Sequence, residues 1–157
     1  MSLSSDCLSG KVCVVTGAAK SIGFAIAQKY AQQGAIVAMI DIDPAVIESA
    51  DKIASQGHSV KGFILDITNR DDVIALFEEI AGTMGDVFCL VNNAGVVDQR
   101  PFEETREEHF DKMYKVNVYG SAWCIQGALP GMKANKSGKI INFSSKSGKT
   151  GSARTSL

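Results

Sequence analysis

The sequence predicts an α/β chain, a doubly wound parallel sheet of strand order 3-2-1-4-5 with every strand ending at one rim. Three observations carry this expectation. Five short apolar runs alternate with four stretches of helical periodicity. The runs are continuously apolar rather than alternating, as in strands covered by helices on both faces. Each run stops in small or polar residues: Thr16-Gly17, Asp41, Asp66, Asn92-Asn93-Ala94-Gly95 and Ser144-Ser145. Five repeats are too few for a barrel, which needs eight. Right-handed crossovers with a reversal after the third strand then give the order.

The first run, Val12 to Val15, breaks at Thr16-Gly17-Ala18-Ala19-Lys20-Ser21-Ile22-Gly23, and a helix begins at once with Ile22, Ala25, Ile26 and Tyr30 on its apolar stripe. It stops at Gly34. The second strand, Ile36 to Ile40, ends in Asp41. Asp43 caps and Pro44 opens a helix with Val46, Ile47, Ala50, Ile53 and Ala54 on one face, and Gly57 ends it. The third strand, Val60 to Leu65, ends in Asp66. Thr68 with Asp71 forms a capping box for a helix striped by Val73, Leu76, Phe77 and Ile80. The fourth strand, Val87 to Val91, leads through a loop with Pro101 to a second capping box, Thr105 with Glu108. One long helix then runs to about Met132, its inward stripe being Phe110, Met113, Asn117, Gly120 and Cys124. The fifth strand is Lys139 to Phe143, and from Lys146 the chain reads as a loop or frayed end.

Bulk properties narrow the function. The 157 residues fit a single domain, 1–157, with a real core. Sixteen basic and seventeen acidic residues leave a net charge of -1, which gives no electrostatic case for nucleic acid or an anionic membrane. Met1 to Lys11 lacks the pattern of a signal peptide, and runs such as Ala35 to Ile40 are too short to span a bilayer. The expectation is a cytoplasmic protein with a small-molecule ligand. Cys7, Cys13, Cys89 and Cys124 form no C-x-x-C pair and read as buried, inert thiols, and His58 and His109 have no ligand-spaced partners, so no metal site is expected.

The five strand ends would line one crevice where ligands of open α/β sheets bind, beside the point of reversal. Gly17 and Gly23 let backbone approach a ligand, and the helix opening there favours an anion such as a pyrophosphate. Asp41 lies 18 positions past Gly23, near the spacing at which an acid meets the adenosine ribose. A carboxylate accepts from both ribose hydroxyls and repels a 2′-phosphate, so NAD(H) is expected over NADP(H). Asp43 is the alternative contact. Asn117, an amide on an apolar stripe, needs a polar partner, either backbone or ordered water, unless it lies at the rim facing solvent.

These residues resemble the short-chain dehydrogenase/reductase family. The resemblance rests on Thr16 to Gly23 for the T-G-x-x-x-G-x-G turn, on Asp66, Asn92-Asn93-Ala94-Gly95 and Asn117, and on Ile140-Ile141-Asn142-Phe143-Ser144-Ser145. It implies a Rossmann-type oxidoreductase. The cofactor-binding set would be Gly17, Ser21, Ile22, Gly23, Asp41, Asp66, Ile67, Asn93, Ala94 and Gly95, with Asp66 against the adenine. Asn117 would organise a proton-relay water and Ser145 would orient the substrate carbonyl or hydroxyl. The run Ser144 to Gly151 is similar to polyol and acetoin-type members, with 3-oxoacyl reductases behind them, and the complete protein would be a homo-oligomer.

Two departures stand out. Ser21 occupies the place of the middle glycine, where its hydroxyl either hydrogen-bonds a phosphate or crowds it. The family's Tyr-x-x-x-Lys pair would fall about one residue beyond Leu157, and none of Tyr30, Tyr114 or Tyr119 is followed four positions later by Lys. The expectation is a C-terminally incomplete domain lacking the family's last strands, with little turnover alone. A non-catalytic dinucleotide-binding subunit is the alternative from another class.

Overall fold

A computed structural model of the chain describes residues 6–146. Five parallel strands, β1 (Val12–Thr16), β2 (Ile36–Asp41), β3 (Val60–Ile64), β4 (Val87–Asn92) and β5 (Lys139–Asn142), lie in the order β3-β2-β1-β4-β5, as expected. Helices α1 (Ser21–Gln32), α2 (Ala45–Ala54) and α3 (Arg70–Thr83) follow the first three strands. Between β4 and β5 run α4 (Glu107–Tyr114), a π-helical turn (Lys115–Gly120) and α5 (Ser121–Ala134).

The pleat sends alternate residues of β1 and β2 to opposite faces. Val12, Val14, Ala38 and Ile40 join Val73, Phe77, Ile80, Cys124 and Ala128 in one core, beneath α3 and α5. Cys13, Val15, Val37 and Met39 join Ala27, Ala31, Val46, Ala50 and Ile53 in the other, beneath α1 and α2. The central strands are thus dry on both faces. β5 differs, since all four of its residues are exposed.

Several local expectations are corrected. In α1 the buried residues are Gly23, Ala27 and Ala31, whereas Ile22 is 59% exposed and Ala25 is also outside. Small residues win that face because the helix lies close over β1 and β2. In α2, Val46, Ala50 and Ile53 are buried but Ile47 is exposed. Thr68 does not cap α3; its N–H and hydroxyl both donate to Asp66 Oδ1, at 2.9 and 2.8 Å. The second capping box also moves. Arg106 precedes α4, its N–H donates to His109 Nδ1 at 2.9 Å, and the Thr105 hydroxyl is buried without a hydrogen-bond partner.

The expected single helix after Thr105 is interrupted by the π-helical turn. An extra residue in a turn rotates everything before it by about 100° relative to an unbroken helix. The stripe expected to face inward accordingly holds from Gly120 onward, while before it Met113 alone of the expected positions is partly covered. Phe110 and Asn117 are exposed, and the partly covered positions of this stretch are His109, Met113 and Val116.

Candidate functional site

The carboxyl ends of β1, β2, β3 and β4 open into one cleft of about 800 Å³. It is lined by Gly17, Ser21, Ile22 and Gly23 from the first turn, Asp41 from the end of β2, Asp66 and Ile67 after β3, and Asn93, Ala94 and Gly95 after β4. All ten residues expected to hold a cofactor are therefore in the same cavity. Asn117 and Ser145 are not among its lining residues.

The turn after β1 is held from three sides. Thr16 Oγ1 accepts the N–H of Asn93 at 3.1 Å and of Ala94 at 3.0 Å, and donates to the Val91 carbonyl at 3.4 Å. The Asn93 amide nitrogen donates back to the carbonyls of Thr16 and Gly17, both at 3.0 Å. The ends of β1 and β4 are thereby fixed to each other. On the other side, Asp41 Oδ2 accepts the Ala19 N–H at 2.9 Å and Asp41 Oδ1 accepts the Asp43 N–H at 3.0 Å. Ser49 of α2 donates its hydroxyl to the Ala19 carbonyl at 2.7 Å.

Gly23 is where glycine is indispensable. A Cβ there would overlap the Gly17 carbonyl oxygen and lie 2.7 Å from Asn93 Nδ2. α1 can start this close to the turn only because that space is empty. Ser21 has φ +54°. This left-handed backbone is the one glycine adopts without penalty, so serine carries strain of about 1–2 kcal/mol there. The missing glycine noted in the sequence thus has a conformational consequence as well as a steric one.

An ion pair stands at the cleft mouth. Lys20 Nζ lies 3.3 Å from Asp43 Oδ2. The carboxyl of Asp43 is held below the usual carboxylate range, first by the Ala45 N–H and then by Lys20. Sequence reasoning missed the wall supplied by α4 and the start of the π-helical turn, where Glu108, Asp111, Lys112 and Lys115 also line the cleft. Their spacing of i, i+3, i+4 and i+7 was visible. It reads as a solvated face until the π-helical turn is known to swing it inward.

Asn117 finds a backbone partner. Its amide nitrogen donates to the Val96 carbonyl and its oxygen accepts the Val96 N–H, each at 2.9 Å. It fastens the segment after Gly95 to the π-helical turn. Ser145 lies three residues past the end of β5 and is exposed. The continuation Ser147 to Gly151 of the run read in the sequence lies outside the described residues. In that region the Asn92 amide nitrogen donates to Asn142 Oδ1 at 2.9 Å, joining β4 to β5.

The arrangement offers what an extended dinucleotide needs. Backbone closes in without side-chain obstruction at Gly17 and Gly23, a carboxylate stands at the end of β2, and Ile22, Ile67 and Val116 give apolar lining.

Comparison with known proteins agrees with this geometry. A model of the short chain dehydrogenase family matches residues 11–157. A sorbitol dehydrogenase of Cereibacter sphaeroides is 34% identical over 148 residues, covering 93% of this chain and 57% of that protein. A diacetyl reductase, (S)-acetoin forming, of Staphylococcus aureus is 38% identical over 149 residues, covering 94% of this chain and 58% of the relative. Among solved structures, an NAD+-bound xylitol dehydrogenase superposes with a TM-score of 0.90 at 26% identity over 96% of this chain and 58% of that one. The chain thus spans less than three fifths of the length of these relatives.

Proposed function

Because the chain belongs to the short-chain dehydrogenase family, we propose that its cleft holds NAD(H) and serves hydride transfer with a secondary alcohol or ketone of the polyol or acetoin type. The observation that carries this reading is the convergence of ten expected cofactor residues on one cavity, with the Asp41 carboxylate among them. Bound NAD(H) would supply the hydride acceptor or donor.

The roles of the chain's own residues follow from their positions. Gly17, Gly23 and the first N–H groups of α1 take the pyrophosphate, where backbone donors favour an anion. Ser21 and Ile22 border it. Asp41 accepts from the ribose hydroxyls with lone pairs not used by Ala19 and Asp43, and its charge disfavours a 2′-phosphate. Asp66 and Ile67 flank the adenine, and Asn93, Ala94 and Gly95 form the facing wall. Asn117 positions the loop after β4 by its bonds to Val96, and Ser145 orients the reacting oxygen of the substrate. The similarity to sorbitol, galactitol and diacetyl-acting enzymes supports the polyol or acetoin class.

Proton transfer to or from that oxygen needs an acid or base, typically worth 10²–10⁴-fold. No tyrosine of the 157 residues precedes a lysine by four positions. We therefore expect this chain to bind cofactor with little turnover by itself. Titration by nicotinamide fluorescence should give saturable NADH binding with weaker NADPH binding. Absence of NADH binding by the folded chain overturns the cofactor reading, and turnover on a polyol panel comparable to intact relatives overturns the expectation about the proton donor.

A further inference from the structure

Outside the cleft, Cys13, Cys89 and Tyr30 lie together between β1 and β4 under α1. Cys13 and Cys89 are register partners on these adjacent parallel strands. The pairing depends on an irregularity in β4. Val12 is opposite Val87 but Cys13 is opposite Cys89, so Phe88 is an extra residue on that strand. Both Phe88 and Cys89 consequently turn toward the α1 and α2 core, the face that also takes Cys13. Without the bulge, Cys13 would be opposite Phe88. The two cysteines are 76 positions apart in sequence, which explains why their spacing gives no sign of the pair.

A third polar group, the Tyr30 hydroxyl, stands beside the pair in this otherwise apolar core. Cys13 is 0% and Cys89 is 5% exposed, and Cys89 Sγ lies 3.9 Å from the hydroxyl of Tyr30, a half-buried residue of α1. Both cysteines are unbonded thiols. The Cys13 thiol, then the Tyr30 hydroxyl, draw the pKa of Cys89 down to about 7 against the effect of burial. Cys13 is pushed up, first by its interaction with Cys89 and then by burial. Cys89, the less enclosed of the two and the one beside the Tyr30 hydroxyl, is placed as the nucleophile, with Cys13 as the second thiol next to it. Paired strands lie about 4.8 Å apart. That separation falls within the roughly 4.4–6.8 Å Cα spacing of disulfides.

We propose that Cys13 and Cys89 form a redox-active dithiol, a site of covalent modification in which a peroxide converts the pair to a disulfide between β1 and β4. The Cys89 thiolate attacks the O–O bond, becoming a sulfenic acid as the departing oxygen leaves as water after protonation. Cys13 then attacks that sulfur, the S–S bond forms, and the hydroxyl leaves as a second water. The two thiols lose two protons and two electrons, and one peroxide becomes two waters. The bond would join the strands whose ends carry Thr16 and Asn93, the two sides of the cleft.

The test is differential alkylation and non-reducing peptide mapping of the folded chain after exposure to hydrogen peroxide. The expected result is a mass loss of two hydrogens, a peptide pair linking Cys13 to Cys89, and reversal by a dithiol reductant. The same linkage should form in the Cys7→Ser variant and be lost in Cys89→Ser. A wild-type chain in which both thiols stay alkylatable only after unfolding, in which Cys7 is the linked residue, or in which Cys89 goes to sulfinic acid with Cys13 still reduced, overturns the proposal. The wild-type mapping decides the matter whether or not the serine variants fold.

Discussion

Asn117 and Val96 are joined by two hydrogen bonds of equal length, 2.9 Å, which together copy one rung of a strand pairing. The amide thereby does for residues 95–97 what a neighbouring strand does inside the sheet. Replacing Asn117 by Ala removes both bonds. With a typical net value of about 0.5–1.5 kcal/mol per bond, the loss is expected to be about 1–3 kcal/mol by urea denaturation. Asn117→Asp keeps the acceptor and should lose about half as much near neutral pH. Amide exchange at Val96 should accelerate in Asn117→Ala and stay near the wild-type rate in Asn117→Asp, which keeps the acceptor of that N–H, and unchanged exchange in the alanine variant would sink this account.

Thr16 uses every hydrogen-bonding capacity of its hydroxyl, with one donated and two accepted bonds. Thr16→Val keeps the shape but strands the Asn93 and Ala94 N–H groups. An unsatisfied buried group costs about 1–3 kcal/mol, so the variant should be less stable by about 2–4 kcal/mol. Thr16→Ser retains the oxygen and should cost under about 1 kcal/mol. A smaller loss for Thr16→Val than for Thr16→Ser would show that the methyl packing, rather than the hydroxyl, fixes β1 to β4.

Ser21 is strained, and removing its Cβ should relieve it. The relief of about 1–2 kcal/mol is offset by about 0.4–1 kcal/mol of extra freedom in the unfolded chain. Ser21→Gly should therefore melt slightly higher, by about 0.5 kcal/mol of stability. Ser21→Val, branched at Cβ, should melt lower than wild type. A lower melting temperature for the glycine variant would refute the strain argument.

Asp41→Asn tests the ribose contact. Charge-assisted hydrogen bonds are worth about 1.5–3 kcal/mol, so NADH affinity should fall about 10–100-fold while NADPH affinity falls less. Circular dichroism must show an intact fold, since Asp41 also receives Ala19 and Asp43. Equal losses for both nucleotides would mean that the carboxylate acts only through the turn.

Acid should weaken the loop after β4. Asp98 is held below its ordinary value of 3.8, chiefly by Arg100, whose Nε and Nη2 donate to its two oxygens at 2.6 and 2.8 Å. A carboxyl depressed in the folded state contributes stability above its unfolded pKa, and that contribution is lost as pH falls through the folded one. The stability difference between wild type and Arg100→Ala should thus be constant above about pH 5 and shrink as pH drops below 3.8. A difference that does not vary with pH would leave the pair without a role.

Most of the sheet was legible in the sequence because its causes are local. Continuous apolar runs mark strands dry on both faces, and small or polar residues mark where each meets the cleft. The ten cofactor candidates converge because they sit at those strand ends. What escaped depends on distant packing. The π-helical turn has no local signature, so Phe110 and Asn117 were assigned to the covered face in place of His109 and Val116, with only Met113 where it was expected, and the wall of Glu108, Asp111, Lys112 and Lys115 was overlooked. The bulge at Phe88 is equally silent, and with it the meeting of Cys13 and Cys89. Arg106 displaced Thr105 as the residue before α4 because the His109 ring, not a carboxylate, reaches back to its N–H.

The bonds between Thr16 and the β4 terminus join residues 75 to 78 positions apart in the chain. Closing so long a loop is entropically costly before its contacts form. Sequence-near pairings such as β1 with β2 carry less of that burden, so the unit β3-β2-β1 is favoured to assemble first and the β4 side to join it late. The cleft then comes into being in the last stage of folding. Its ligand recognises completed molecules alone, and saturation with cofactor should slow unfolding without hastening the early steps of folding.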